Sequence, residues 1–384
     1  MKDLIKSTLN INSPLTSARR IELDWLRVAT VLLVFLHHAG MPFNGDTWHI
    51  MNGQSSKLLD DIMVYFEQWR LPLLLLISGA GTVMAFSKRS TLQFVKERSQ
   101  RLLIPLIFGA LVIIPPQTYF QFINRYHSYL AIYPEALIDV HTNHLWFIEF
   151  LFVFSILCIP LVLFLRSDRS TPVKQRIESW CSGSWGLLLF AIPLIVLRVI
   201  TKIYYPENDH EIAYLSTSLY YLYFFVVGII LFSCQGLWSN LKRYRKINSI
   251  AALISLCLFY SYYYFPDEII SSYASIPTRW KIWWAVSSLV GWTTMLTVIG
   301  YAQVYLTKSH RWLPRLNEAV YPFYILHQTV IVALAYYVVQ WQVSITVKLP
   351  VLVLFSFISI AVIYRILIYP FKLTRFLFGM KPKK

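Results

Sequence analysis

The sequence predicts an all-α polytopic membrane protein of about ten transmembrane helices with both termini cytoplasmic. Three observations predict it: an excess of apolar residues, their grouping into runs long enough to cross a bilayer, and basic residues gathered in every second connection. Of 384 residues, 57% are hydrophobic and 14% charged, against about 45–50% and about 25% in ordinary soluble domains. One soluble core cannot absorb that excess. No repeat, Pro/Ser-rich linker or low-complexity block marks off a soluble domain. The reading is one integral domain over 22–369, preceded by a cytoplasmic N-terminal segment 1–21 and followed by a basic cytoplasmic tail 370–384.

The apolar runs fall near 22–43, 62–86, 102–122, 144–165, 184–204, 215–236, 248–265, 280–303, 319–340 and 349–369. Each is close to the about 20 residues that a helix needs to span the hydrocarbon core. Segments 1–21, 87–101, 166–182, 237–247, 304–318 and 370–384 then carry 25 of the 35 Lys and Arg residues. The opposite connections hold Lys57, Arg125, Arg279, Lys281 and Lys348. The positive-inside rule places the basic segments, and with them both termini, in the cytoplasm. A net charge of +16, which in a soluble protein would suggest nucleic acid, is here a topology signal, and the expected partner is the lipid bilayer. The polar N-terminus has no signal-peptide pattern, so the first span is expected to be an uncleaved anchor. Cys158, Cys181, Cys234 and Cys257 lie in or beside spans without C-x-x-C spacing and suggest neither a disulfide framework nor a zinc site.

Ionisable residues inside spans are costly, which makes them candidates for function. In the first span Arg27 and His38 return to nearly the same helix face about 16.5 Å apart along the axis, while His37 points about 100° away. The plain alternatives are a snorkelling Arg27 paired with Asp24 and a packed His38. The second span carries Arg70, in Trp69-Arg70-Leu71-Pro72. Before the third span, Arg98 and Arg101 form an i,i+3 pair whose guanidinium forks suit phosphate oxygens, the alternative being ordinary cytoplasmic charge. The fourth span opens as His144-Leu145-Trp146-Phe147-Ile148-Glu149. There Glu149 and His38 lie at matched depths of about 7–8 Å below the outer ends of their helices, so that a carboxylate can orient an imidazole base. His141 and His144 have metal-compatible spacing but no third ligand, so no metal is expected. In the ninth span His327, like Arg70, is placed to line a polar cavity or to tie helices together. No Walker loop, dinucleotide-binding glycine turn or G-x-S-x-G elbow is present.

These residues resemble the acyltransferase-3 family of membrane O-acyltransferases. The likeness rests on Arg27 and His38 in the first span, Ile77-Ser78-Gly79 in the second, Arg98 and Arg101 before the third, His144-Leu145-Trp146-Phe147, and Tyr324-Ile325-Leu326-His327. Thr47-Trp48-His49 and His144-Leu145-Trp146-Phe147 add a likeness to the branch that succinylates periplasmic glucans. Many family members carry a carboxylate pair a few residues past the tryptophan, where this chain has Leu151 and Phe152. The resemblance implies transfer of an acetyl or succinyl group from cytoplasmic acyl-CoA, a donor and not a resident cofactor, to a hydroxyl of an extracytoplasmic glycan, in a bacterial inner membrane. Arg27, Arg98 and Arg101 are then the donor-binding cations and His38 with Glu149 the catalytic groups. Arg70, His49, His144, Trp146 and His327 are the substrate-binding set. The rival reading is a transporter or exporter of a glycan or small solute, since intramembrane Arg and His also mark translocation paths. Paired Gly/Pro-interrupted half-helices in two related halves, which a transporter leads one to expect, are not seen.

Overall fold

A computed structural model describes residues 20–382 apart from 88, 139 and 207–211. The expected N-terminal segment 1–21 therefore lies almost wholly outside the described residues, as do the last two residues of the tail. Helix α1 (Ile21–Gly40) runs unbroken through the first apolar stretch. Its Thr30 hydroxyl donates to the carbonyl of Leu26 at 2.7 Å, which satisfies a polar group where lipid offers no partner.

The second stretch begins at Lys57, earlier than the expected 62, and is interrupted: α2 (Lys57–Glu67) stops and α3 (Arg70–Phe86) restarts. Pro72 has no N–H for the carbonyl of Gln68, and its ring crowds that oxygen, so an α-helix cannot run through this point. The freed oxygen faces Gly291, where a Cβ would come within 2.5 Å of it. The break sets Arg70 at the first position of α3. Helix α4 (Thr91–Gln121) starts with a capping box between Ser90 and Gln93 and contains two π turns, Ser99–Leu103 and Gly109–Ile113. Next come α5 (Asn143–Leu157) and α6 (Ile159–Arg166), bent by 47° beside Pro160. The chain continues through α7 (Ala191–Tyr204), α8 (Leu215–Ser233), α9 (Arg245–Tyr263), α10 (Ile276–Tyr305), α11 (Leu313–Val338) and α12 (Ile345–Ile368).

Among the described residues there is no strand, and the protein is an all-α integral membrane protein. A helix stands at each of the ten expected positions, yet seven helices are long and apolar enough to cross a membrane, or eight with α5 and α6 taken as one bent span. Two fall short for different reasons. Helix α7 has 14 residues, about 21 Å of rise against a hydrocarbon core of about 30 Å. Helix α9 has the length, with 19 residues, but Arg245, Lys246, Asn248, Ser249 and Ser255 dilute it.

Helices α3 and α8 meet backbone to backbone. A Cβ on Gly79 would fall 2.1 Å from the carbonyl oxygen of Phe225, and one on Gly228 would fall 2.1 Å from that of Leu76. Small residues at such crossings let membrane helices associate by close packing, since lipid supplies little hydrophobic drive. Helix α1 packs against α3, α10, α11 and α12, while α4 lies against α5 and α11. Helices α1 and α11 run in the same direction, with Arg27 meeting Asn317 and His38 meeting His327.

Candidate active site

The α1–α11 seam carries a basic end and an imidazole end. At the basic end, Nη1 of Arg27 donates to Oδ1 of Asp24 at 3.2 Å and to Oδ1 of Asn317 at 3.4 Å. Arg98 donates from Nη2 to the Thr82 hydroxyl at 3.4 Å, and its guanidinium lies 4.9 Å from the centre of the Phe94 ring. Nε of Arg101 lies 3.3 Å from a Glu97 carboxylate oxygen, and Arg89 pairs with the same carboxylate. Arg98 is within electrostatic reach of Arg27, Arg89 and Arg101, so the three predicted cations form one positive region. The turn between Arg98 and Arg101 is a π turn, which spreads the pair over a wider arc than three α-helical steps. Tyr321, which sequence reasoning missed, adds a buried hydroxyl without a hydrogen-bond partner beside Arg98 and Arg101.

At the imidazole end, Nδ1 of His38 is 2.7 Å from Nε2 of His327, with ring centres 4.9 Å apart and the planes 29° from parallel, so the two rings meet end to end. His327 thus occupies the orienting place that the depth comparison offered to Glu149, which stands half-buried in the first turn of the α-helix Trp146–Leu157. Nδ1 of His327 in turn meets the carbonyl of Tyr324. The Tyr324 hydroxyl donates to the carbonyl of His144, and Nε2 of His144 is 3.0 Å from the carbonyl of Ile325. The Trp48 ring lies nearly parallel to that of His38, with ring centres 6.4 Å apart. His37 points elsewhere, its Nε2 lying 3.4 Å from a Glu67 oxygen.

An amide cluster adjoins the imidazoles. His49 Nδ1 meets Oε1 of Gln121 at 2.6 Å, and its Nε2 is approached by Gln117 at 2.9 Å and Gln328 at 3.0 Å. Gln328 also donates to Asn143 at 2.9 Å, and Asn143 holds a φ of 41°, which asparagine tolerates better than most residues. His49 lies in the connection between α1 and α2. Burial there pushes its imidazole below the ordinary value, while hydrogen bonds to Gln121 and Asn143 push the other way. Gln117, Gln121 and Gln328 were missed in the sequence, although a glutamine inside an apolar run is a signal of the same kind as a buried arginine.

Arg70 is buried, within electrostatic reach of His37, His38 and Glu67, and its Nε and Nη1 have no hydrogen-bond partner. Trp146 packs 5.2 Å from Tyr221, itself in electrostatic reach of Arg70. Of the substrate-binding set, His49, His144 and His327 belong to the imidazole end, Arg70 lies beside it, and Trp146 joins through Tyr221. Among the described residues no group of three or more His, Cys, Asp or Glu is placed to hold a metal ion. The arrangement can hold an anion at one end, move a proton at the other, and bind hydroxyls through neutral amides.

A family model described as an acyltransferase domain, that of the acyltransferase-3 family, matches residues 20–369. Glucans biosynthesis protein C of Escherichia coli (strain K12 / DH10B) is 26% identical over 230 residues, covering 57% of this chain and 60% of that protein. The protein of the same name from Escherichia coli O81 (strain ED1a) is 24% identical over 253 residues, covering 63% and 66%. The chain thus spans less than two thirds of the length of these relatives. No solved structure matches it.

Proposed function

Since the chain belongs to the acyltransferase-3 family, we propose that it moves an acetyl or succinyl group from cytoplasmic acyl-CoA to a hydroxyl of an extracytoplasmic glycan. The similarity to glucans biosynthesis protein C supports a glucan as the acceptor. In this reading the chain crosses a bacterial inner membrane ten times with both termini inside. Residues 22–369 are the catalytic domain, and 1–21 and 370–384 are cytoplasmic flanks. The loop charge supports that orientation.

The observation that carries the proposal is the shared α1–α11 seam, with Arg27 at one end and His38 at the other. Arg27, Arg98 and Arg101 hold the phosphates of the donor at the cytoplasmic end, where guanidinium forks match phosphate oxygens. The pantetheine arm follows α1 and brings the thioester to His38. His38 takes the proton of the acceptor hydroxyl as its oxygen attacks the thioester carbonyl, which avoids a free alkoxide. His49, His144 and Trp146 hold the sugar. Arg70, within electrostatic reach of Glu67 but buried with two nitrogens that lack a hydrogen bond, suits the terminal carboxylate of a succinyl group, because an arriving carboxylate would satisfy those donors.

The test is the mass added to extracytoplasmic glycans in cells that make the protein and in cells that lack it. A mass shift of one acyl group on the glycan is expected. Unmodified glycan, with protein present in the membrane, would sink the proposal.

A further inference from the structure

The hydrogen bonds around His327 determine which nitrogen of His38 can act. A carbonyl oxygen only accepts, so Nδ1 of His327 must carry the proton that it donates to the Tyr324 carbonyl. In the neutral ring Nε2 of His327 is then a bare acceptor. The atom facing it at 2.7 Å is Nδ1 of His38, which must therefore be the donor. That leaves the lone pair of His38 on Nε2. The hydrogen bond of the His38 ring runs through Nδ1, and the residue is only half-buried, whereas Nδ1 of His37 and Nδ1 of His144 are buried without a partner. The neighbouring carbonyl of Ile325 fixes His144 in the same manner, accepting from its Nε2. One turn of α11 thus sets the tautomers of two imidazoles through its backbone.

We propose that His327 is a positioning residue, set by the Tyr324 carbonyl to accept the Nδ1 proton of His38, so that His38 presents Nε2 as the base. The proposal rests on the acyl-transfer reading above and assigns His327 a part different from sugar binding. The step balances. The acceptor O–H proton passes to Nε2 of His38, the acceptor oxygen bonds to the acyl carbon and the C–S bond breaks. The departing thiolate then takes the Nε2 proton, which leaves an ester, a free thiol and His38 in its starting tautomer. Throughout, the Nδ1–H···Nε2 bond to His327 holds the ring and disperses charge, as the third member of a nucleophile–base–orienter set does.

The experiment uses purified full-length protein in lipid nanodiscs, with acyl-CoA and a soluble glucan as probes. His327→Phe keeps the ring's bulk and removes the acceptor, so kcat should fall by about 10²-fold or more while the KM for acyl-CoA stays within about twofold. His327→Gln offers an amide oxygen to the Nδ1 proton and should recover about tenfold of that loss, consistent with the weight of one good hydrogen bond. A merely structural role predicts no such recovery. Equal activity of the two variants, with acyl-CoA binding intact in both, would overturn the proposal. Imidazole-nitrogen NMR gives an independent arm, with the His38 signals assigned by their loss in His38→Asn. A pyrrole-type Nδ1 and a pyridine-type Nε2 support the proposal, and the reverse pattern overturns it even where acyl transfer is observed. If wild-type protein transfers nothing while the NMR pattern is as expected, the acyl-transfer reading fails and the catalytic use of the pair fails with it.

Discussion

The two ends of the α1–α11 seam solve the problem of polar groups in a membrane in opposite ways. At the basic end the groups are permanent charges on long side chains, met by Asp24, Glu97 and the Thr82 hydroxyl and left half-exposed. At the other end they are imidazoles and amides that bond to one another and to backbone carbonyls. Long flexible cations hold a charged partner without fixing its atoms to a fraction of an ångström. A packed imidazole held by a carbonyl fixes one lone pair in one direction. The comparison therefore separates affinity from chemistry, and substitutions at the two ends should move different kinetic constants.

The largest effect is expected at the imidazole end. His38→Ala should lower kcat for glycan acylation by about 10³-fold or more and leave the KM for acyl-CoA and the protein level unchanged. Mass spectrometry of the glycan and single-turnover kinetics check it. An unchanged acyl pattern would remove His38 from the chemistry. Arg98→Ala should do the reverse, raising the KM for acyl-CoA by about 10- to 100-fold, since a charge-assisted hydrogen bond is worth about 1.5–3 kcal/mol, with kcat little altered. A fall in kcat alone would collapse the distinction between the ends. Tyr321→Phe is the finer test of the basic end. Its hydroxyl is buried without a partner beside Arg98 and Arg101, so its loss should raise the donor KM by about 2- to 10-fold, the weight of one neutral hydrogen bond. A tighter-binding variant would show that the hydroxyl is only an unsatisfied cost.

How much of this was legible in the sequence follows from how far each inference reaches along the chain. Arg27 and His38 share one helix, so rise and rotation per residue related them directly, and both do face α11. Arg98 and Arg101 were found by local spacing, but the π turn between them was not, because the i,i+3 rule assumes regular helix. The break at Gln68 was written in Pro72, and its consequence for Arg70 was overlooked. The partnership of His38 and His327 crosses 289 residues, and nothing local encodes it. Matching Glu149 to His38 by depth used only the membrane normal, and depth says nothing about which helices are neighbours around that normal. Seven helices, or eight with the bent pair, are long and apolar enough to cross a membrane against ten apolar stretches, for a related reason: α7 has the composition of a membrane helix without the length, and its ends depend on turns that hydropathy does not record.

The smallest expected effect concerns pH and again divides the two ends, because arginine does not titrate in the accessible range whereas the amide cluster contains a histidine. Burial holds His49 below the ordinary 6.5, so the folded protein keeps this ring neutral where the unfolded chain protonates it. The unfolded state then binds more protons, and linkage makes stability rise with pH across that window. The contribution from His49 is complete above about 6.5 and is lost as pH falls toward its depressed folded value. His49→Gln retains an amide-compatible group and cannot titrate. The thermal midpoint of the wild type should therefore drop more steeply below pH 6.5 than that of the variant, by a margin smaller than any effect above. The other buried histidines contribute equally to both curves and cancel in the difference. Parallel curves would mean that His49 is as easily protonated in the fold as in the open chain, and that the amides around it hold the charged ring as well as the neutral one.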